Sequence, residues 1–140
     1  MKRIIFVSII ILLNSCLEQI KTYPIRNIQQ GVVIYKPGYY LLPSTNLKVA
    51  ELKNGTIMYG VSDNKGKFLF QSDLFTAFNN YQYWRIYIDK DENFWIYSSD
   101  FPEIKVWKKE GEIYKPYDYC VEEVDGKDAF FSAIKKRICK

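Results

Sequence analysis

The residues of this chain best equipped for chemistry are its carboxylates, and they gather in turns. Glu51, Asp89, Asp91, Glu92, Asp100, Glu103, Glu110 and Glu112 nearly all fall among the Gly, Pro, Asn and Lys residues that mark chain reversals. Two carboxylates at a suitable separation can hydrolyse a glycosidic bond. Those on turns are normally solvated, and no second catalytic type joins them here. The chain has no histidine, so the usual general base and the commonest transition-metal ligand are both missing. Hydrolase designs that pair Ser or Cys with His are excluded in their standard forms. Asp89-Lys90-Asp91-Glu92-Asn93 opens like the Asp-x-Asp-x-Asn of a calcium loop, with Asp100 in the twelfth place. Phe94, however, stands where that loop needs Gly for its sharp turn. A hairpin turn accounts for the run better. No Gly-rich phosphate loop or dinucleotide fingerprint occurs. The expectation is a non-enzymatic chain with no metal and no cofactor.

The aromatic residues offer a binding chemistry instead. Twelve Tyr, nine Phe and three Trp stand in 140 residues. In Tyr83–Ile88, alternation puts Trp84, Ile86 and Ile88 on one face and Tyr83, Arg85 and Tyr87 on the other. In the next run, Phe94 and Ile96 alternate with Trp95 and Tyr97. Exposed Tyr, Trp and Arg suit protein interfaces and can stack on sugars. Tyr83, Arg85, Tyr87, Trp95 and Tyr97 are therefore the candidate partner-binding residues. The alternative is that a second layer covers that face and turns them into core.

Short strands must position these side chains. From Gly31 onward, apolar and aromatic runs alternate with turn residues, the signature of antiparallel sheet. The runs are Val32–Tyr35, Tyr39–Leu42, Leu47–Leu52, Thr56–Val61, Lys67–Phe70, Tyr83–Ile88, Phe94–Ser98, Ile104–Trp107 and Glu112–Tyr114. Asn54-Gly55 suits a type I′ hairpin, because both residues tolerate positive φ. Asp73–Phe78 has the look of one or two helical turns. Asp63 and Phe68 stand five apart, as do Asp89 and Phe94, and each pair spans a polar turn into an aromatic strand. Asp125–Ile138 is the clearest helix, with Phe130, Phe131, Ile134 and Ile138 on one stripe and Lys135, Lys136, Arg137 and Lys140 near its end. The fold expected is mainly β (α+β): an antiparallel meander forming a curled sheet or small barrel, with the C-terminal helix packed on it.

Ahead of this domain comes a different kind of sequence. Met1-Lys2-Arg3 is basic, Ile4 to Leu13 is apolar apart from Ser8, and Leu13-Asn14-Ser15-Cys16 follows. The apolar run is far short of the ~20 residues that span a bilayer as a helix. The leader resembles the signal peptide and lipobox of bacterial lipoproteins. That resemblance implies cleavage before Cys16, acylation of Cys16, and a membrane held through the N-terminal lipid. Leu17, where the sorting rule of enterobacterial lipoproteins would need Asp for inner-membrane retention, implies the outer membrane facing the periplasm. The division expected is a signal peptide at 1–15, a lipidated tether at 16–30 and a single β-rich domain at 31–140.

Removing the leader takes Lys2 and Arg3 from the 20 basic residues and leaves 18 against 16 carboxylates. That balance, on an exported chain, excludes a nucleic-acid partner. In an oxidising compartment Cys120 and Cys139 are expected to form a disulfide, the alternative being two free thiols. A bridge needs either a helix that frays near Arg137 or a Cys120 lying along its flank. The function expected is non-catalytic protein binding at the cell envelope, as an immunity or inhibitor protein would do. The rival is an accessory lipoprotein of an envelope assembly, or a peptidoglycan- or glycan-binding module.

Overall fold

Among the residues it describes, the computed structural model shows the alternation of apolar and polar residues laid out as ten strands and one helix. It describes residues 23–51, 57–72, 83–99, 102–122 and 129–139, and of 129–133 the backbone. The leader with Cys16, the Asn54-Gly55 pair, the Asp73–Phe78 segment and the first residues of the expected helix lie outside these. The strands are β1 (Ile25–Asn27), β2 (Val32–Ile34), β3 (Gly38–Leu41), β4 (Thr45–Glu51), β5 (Ile57–Asp63), β6 (Phe68–Gln71), β7 (Trp84–Ile88), β8 (Phe94–Ser98), β9 (Ile104–Glu110) and β10 (Ile113–Asp118). The helix, α1, is Ala129–Ile138.

The strands do not close into a barrel. They form two five-stranded sheets, ordered β1-β3-β4-β5-β6 and β10-β9-β8-β7-β2. Each sheet is a four-stranded antiparallel meander with one N-terminal strand added: β1 lies parallel to β3, and β2 antiparallel to β7. Short connections make neighbours of consecutive strands, which is why the meanders were readable. Strand β1 lies inside the stretch read as tether, so folded structure begins ahead of Gly31. Three residues behind Pro24, two of them polar, carry no period that alternation could reveal.

The inner faces of the two sheets meet in one core. Tyr40, Leu47, Val49, Tyr59, Val61 and Phe70 of the first sheet pack with Ile34, Trp84, Ile86, Ile88, Phe94, Ile96 and Tyr114 of the second. Phe70 is the cross-sheet hub. Its ring stacks on Trp107 at 4.4 Å, meets Phe94 edge-on at 5.3 Å and lies 4.8 Å from Tyr114. Trp107 also donates its indole N–H to the Tyr59 hydroxyl at 3.1 Å. Burial of that phenol pushes its pKa up.

A second layer covers the other face of the second sheet. Trp95, Tyr97, Ile104 and Val106 pack there with Tyr119 and with Ile134 and Ile138 of α1. This explains why every residue of β8 is buried. A disulfide joins Cys120, on the helix flank, to Cys139, their Cα atoms 5.2 Å apart. The helix does not fray at Arg137: the Cys139 amide still donates to the Lys135 carbonyl at 2.9 Å. Flanking placement of Cys120 is thus what lets the bridge form. Closing a loop of this length contributes about 3 kcal/mol in the chain-entropy account.

Candidate functional site

The turns that carry the carboxylates fold around them. Asp89 Oδ1 accepts the amides of Asp91 and Asn93, both at 2.9 Å. Asp89 Oδ2 accepts the Asn93 side-chain amide and the Trp95 indole N–H, also at 2.9 Å. Both oxygens of this buried group are therefore occupied by the turn itself. An Asp that caps its own turn in this way is a structural device, and a calcium loop would need those oxygens free. Among the described residues no cluster of three metal-ligating side chains forms.

The β5–β6 turn is built the same way. Asp63 Oδ1 accepts the amides of Lys65 and Lys67 at 2.9 and 2.8 Å. The backbone bonds correspond too: Gly66 N–H to Asp63 O at 3.0 Å, and Glu92 N–H to Asp89 O at 3.1 Å. The fourth residue is left-handed in both turns, with φ +82° at Gly66 and +61° at Glu92. Gly tolerates that conformation freely, whereas a residue with a Cβ is strained by it.

Glu92 makes contacts that Gly could not. Its carboxylate accepts hydrogen bonds from the Ser44 hydroxyl and from Gln30 Nε2 (3.4 Å), and it pairs with Lys109 Nζ at 2.9 Å. Its carbonyl accepts the Tyr114 hydroxyl at 3.1 Å. Burial pushes the carboxyl upward, but the Ser44 and Lys109 hydrogen bonds, the Lys109 charge and Gln30 outweigh it and hold it below the ordinary range. Glu92 thus ties the β7–β8 turn to the β3–β4 turn, to β9 and to the entry of β2. That is a clamp between the sheets. Glu103 alone of the described carboxylates is held above the ordinary range, by burial first and the Asp118 charge second. Asp118 Oδ1 already accepts the Cys120 amide at 3.0 Å.

The candidate binding residues separate into two groups. Trp95 and Tyr97 do not reach the surface; they lie in the layer beneath α1, 2 % and 6 % exposed. The helix that covers them could not be placed over a particular strand from sequence. Tyr83, Arg85 and Tyr87 share the same face, closer to the β2 edge, where coverage by the helix runs out. Tyr83 is exposed, Arg85 half-buried, and Tyr87 half-buried against the helix layer.

The structure adds Tyr35, which the sequence reading did not single out. It follows β2, lies one register step beyond the Ile34↔Ile86 pair and is exposed. The Arg85 guanidinium carbon sits 5.5 Å from the centre of its ring, and Lys36 Nζ sits 5.6 Å from it. Arg85 also donates to the Trp84 carbonyl at 2.8 Å, which fixes its aim. Strand β2 is the edge of its sheet, and no described strand pairs with its other side. A groove of about 230 Å³ runs beside it, lined in part by Arg26, Val33, Tyr35, Lys36 and Tyr40. The site is the edge of β2, unpaired among the described strands, with Tyr35 and Tyr40 beside it and the cations Arg26, Lys36 and Arg85 against their rings. The signal available in sequence was the cationic, aromatic spacing Tyr35-Lys36 beside Tyr83-x-Arg85.

No protein-family model matches the chain, and neither a curated protein nor a solved structure does.

Proposed function

We propose that this chain is a lipid-anchored envelope protein that binds another protein, without catalysis, through the β2 edge and its Tyr35–Arg85–Tyr83 flank. The observation that carries the reading is the open edge of β2 with aromatic and cationic side chains gathered beside it. An extended segment of a partner can add to such an edge through main-chain hydrogen bonds, with side-chain contacts giving specificity. Arg26, Lys36 and Arg85 favour a partner that is acidic at this point. The lipobox resemblance at Leu13–Cys16 supports the anchor, and an immunity or inhibitor role suits a tethered binder of this size. The turn carboxylates do not support hydrolysis, since Asp89 and Glu92 are consumed by internal hydrogen bonds.

The test is a photo-reactive amino acid placed at position 35, 83 or 121 of the full chain in its own cells. Positions 35 and 83 are expected to crosslink one protein, with Val121 beside the disulfide as the control. Crosslinking of the same species from all three positions, or from none, overturns this placement of the site.

A further inference from the structure

The outer face of the first sheet is unlike the rest of the molecule. Across its middle the outward residues form two rungs, Ile25–Tyr39–Lys48–Gly60–Gln71 and Asn27–Leu41–Asn46–Ser62–Phe68. Ile25, Leu41 and Phe68 are exposed, Phe68 by 57 %. The two rungs carry one charge, Lys48, whose Nζ lies 5.4 Å from the centre of the Tyr39 ring. No carboxylate shares the outward positions of these rungs. Between Leu41 and Phe68 the face is hollowed into a groove of about 460 Å³.

Gly60 makes the hollow, and nothing in the fold requires a glycine there. Its φ is not left-handed, and a Cβ would meet only Gln71 Cβ and the Phe70 carbonyl at an ordinary 3.9 Å. Glycine inside a strand weakens it, and its usual reason is a bulge or the close approach of another molecule. A register shift does occur at the next step, Val61/Ser62. The empty floor nonetheless leaves apolar walls around a shallow polar base of Asn46 and Ser62.

We propose that this face rests on the lipid surface to which the chain is anchored, with Lys48 over lipid phosphates and Tyr39, Leu41 and Phe68 within the headgroup layer. The proposal rests on the lipoprotein reading of Cys16. Six residues separate Cys16 from Tyr23, so the chain between them reaches at most about 25 Å. Tyr23 is fixed at the end of β4, its hydroxyl accepting the Glu51 amide at 3.2 Å. The first structure the tether meets is therefore the sheet that bears the apolar face. Apolar and aromatic side chains with a cation among them are what an interfacial surface needs. Strand β2 and its Tyr35–Arg85–Tyr83 flank belong to the other sheet, so a docked domain would keep that flank in water.

The experiment uses the full acylated chain in vesicles of phosphatidylethanolamine and phosphatidylglycerol, with some lipids brominated near the glycerol. Phe68→Trp places a fluorophore on the face, and Val121→Trp places one beside the disulfide. Both are read against the chain's own tryptophans, with the mass of the mature N-terminus measured in parallel. Docking predicts that the signal added by Phe68→Trp falls about twofold in brominated vesicles, while the signal added by Val121→Trp is unaffected. Adding Leu41→Glu to the Phe68→Trp protein is expected to abolish the difference. Leu41→Trp serves as a second probe should Phe68→Trp fold poorly. Equal quenching at both positions, or none at either, on a protein that carries its acyl mass overturns the docking and leaves the anchor standing. A mature N-terminus without acyl mass overturns both.

Discussion

Replacing Glu92 in two different ways separates what its side chain contributes from what its backbone costs. Glu92→Ala removes the Ser44 and Gln30 hydrogen bonds and the Lys109 pair but keeps a Cβ at φ +61°. A hydrogen bond to a buried charged group contributes about 1.5–3 kcal/mol, while Lys109 is exposed enough to limit its pair to about 0.5–1 kcal/mol. Glu92→Ala should therefore cost about 2–4 kcal/mol. Glu92→Gly loses the same contacts but relieves the left-handed strain, which recovers about 1 kcal/mol. The Gly variant should be the more stable of the two, although Gly normally weakens a chain. Urea denaturation at pH 7 with the disulfide intact measures both, and equal slopes would show that the comparison is clean. The pH dependence gives a second reading. The folded carboxyl titrates below its unfolded value, so its stabilisation is complete above the ordinary carboxylate range. It is lost as pH falls through the folded pKa, and Glu92→Gln should flatten that acid limb. If Glu92→Gly proves no more stable than Glu92→Ala, the strain argument is wrong. If neither variant is destabilised, the clamp is not one.

Gly66 occupies the equivalent turn position with open space around it, so Gly66→Ala should cost about 1 kcal/mol by the same denaturation assay. Calcium should leave the thermal midpoint unchanged against a chelator control, because both Asp89 oxygens are taken; a rise in midpoint would revive the calcium loop. Thr45 buries a hydroxyl with no hydrogen-bond partner among the described residues. Thr45→Val should accordingly be neutral or stabilising by up to about 1 kcal/mol, and a clear loss of stability would reveal a bond to that hydroxyl. Replacing Cys120 and Cys139 together by Ala should lower stability by about 3 kcal/mol, with α1 losing amide protection from hydrogen exchange before the sheets do.

Much of the fold was legible because strands β3–β6 and β7–β10 run as meanders with turns between them. What alternation could not supply was the division into two sheets. It falls between β6 and β7, which do not pair, and β1 and β2, each three residues long, then go to different sheets. The candidate site was half legible for a related reason. Trp95 and Tyr97 occupy the same face as Tyr83, Arg85 and Tyr87, and period-two alternation sees only the face. Which part of it α1 covers is set by packing between distant segments, fixed partly by the Cys120–Cys139 bridge. Glu92 shows the reverse case. The five-residue spacing from Asp63 to Phe68 and from Asp89 to Phe94 already aligned it with Gly66, yet only the observed φ gives that alignment a meaning.

The proposal that a lipid-held domain captures a protein through the edge of β2 is open to a direct test. Affinity capture from envelope extract in mild detergent, with the full acylated chain as bait, provides it. One protein is expected to be retained by the wild type and lost by the Tyr35→Ala, Tyr83→Ala double variant, which leaves the core intact. Retention of purified peptidoglycan, with no protein captured by the wild type, would contradict the account.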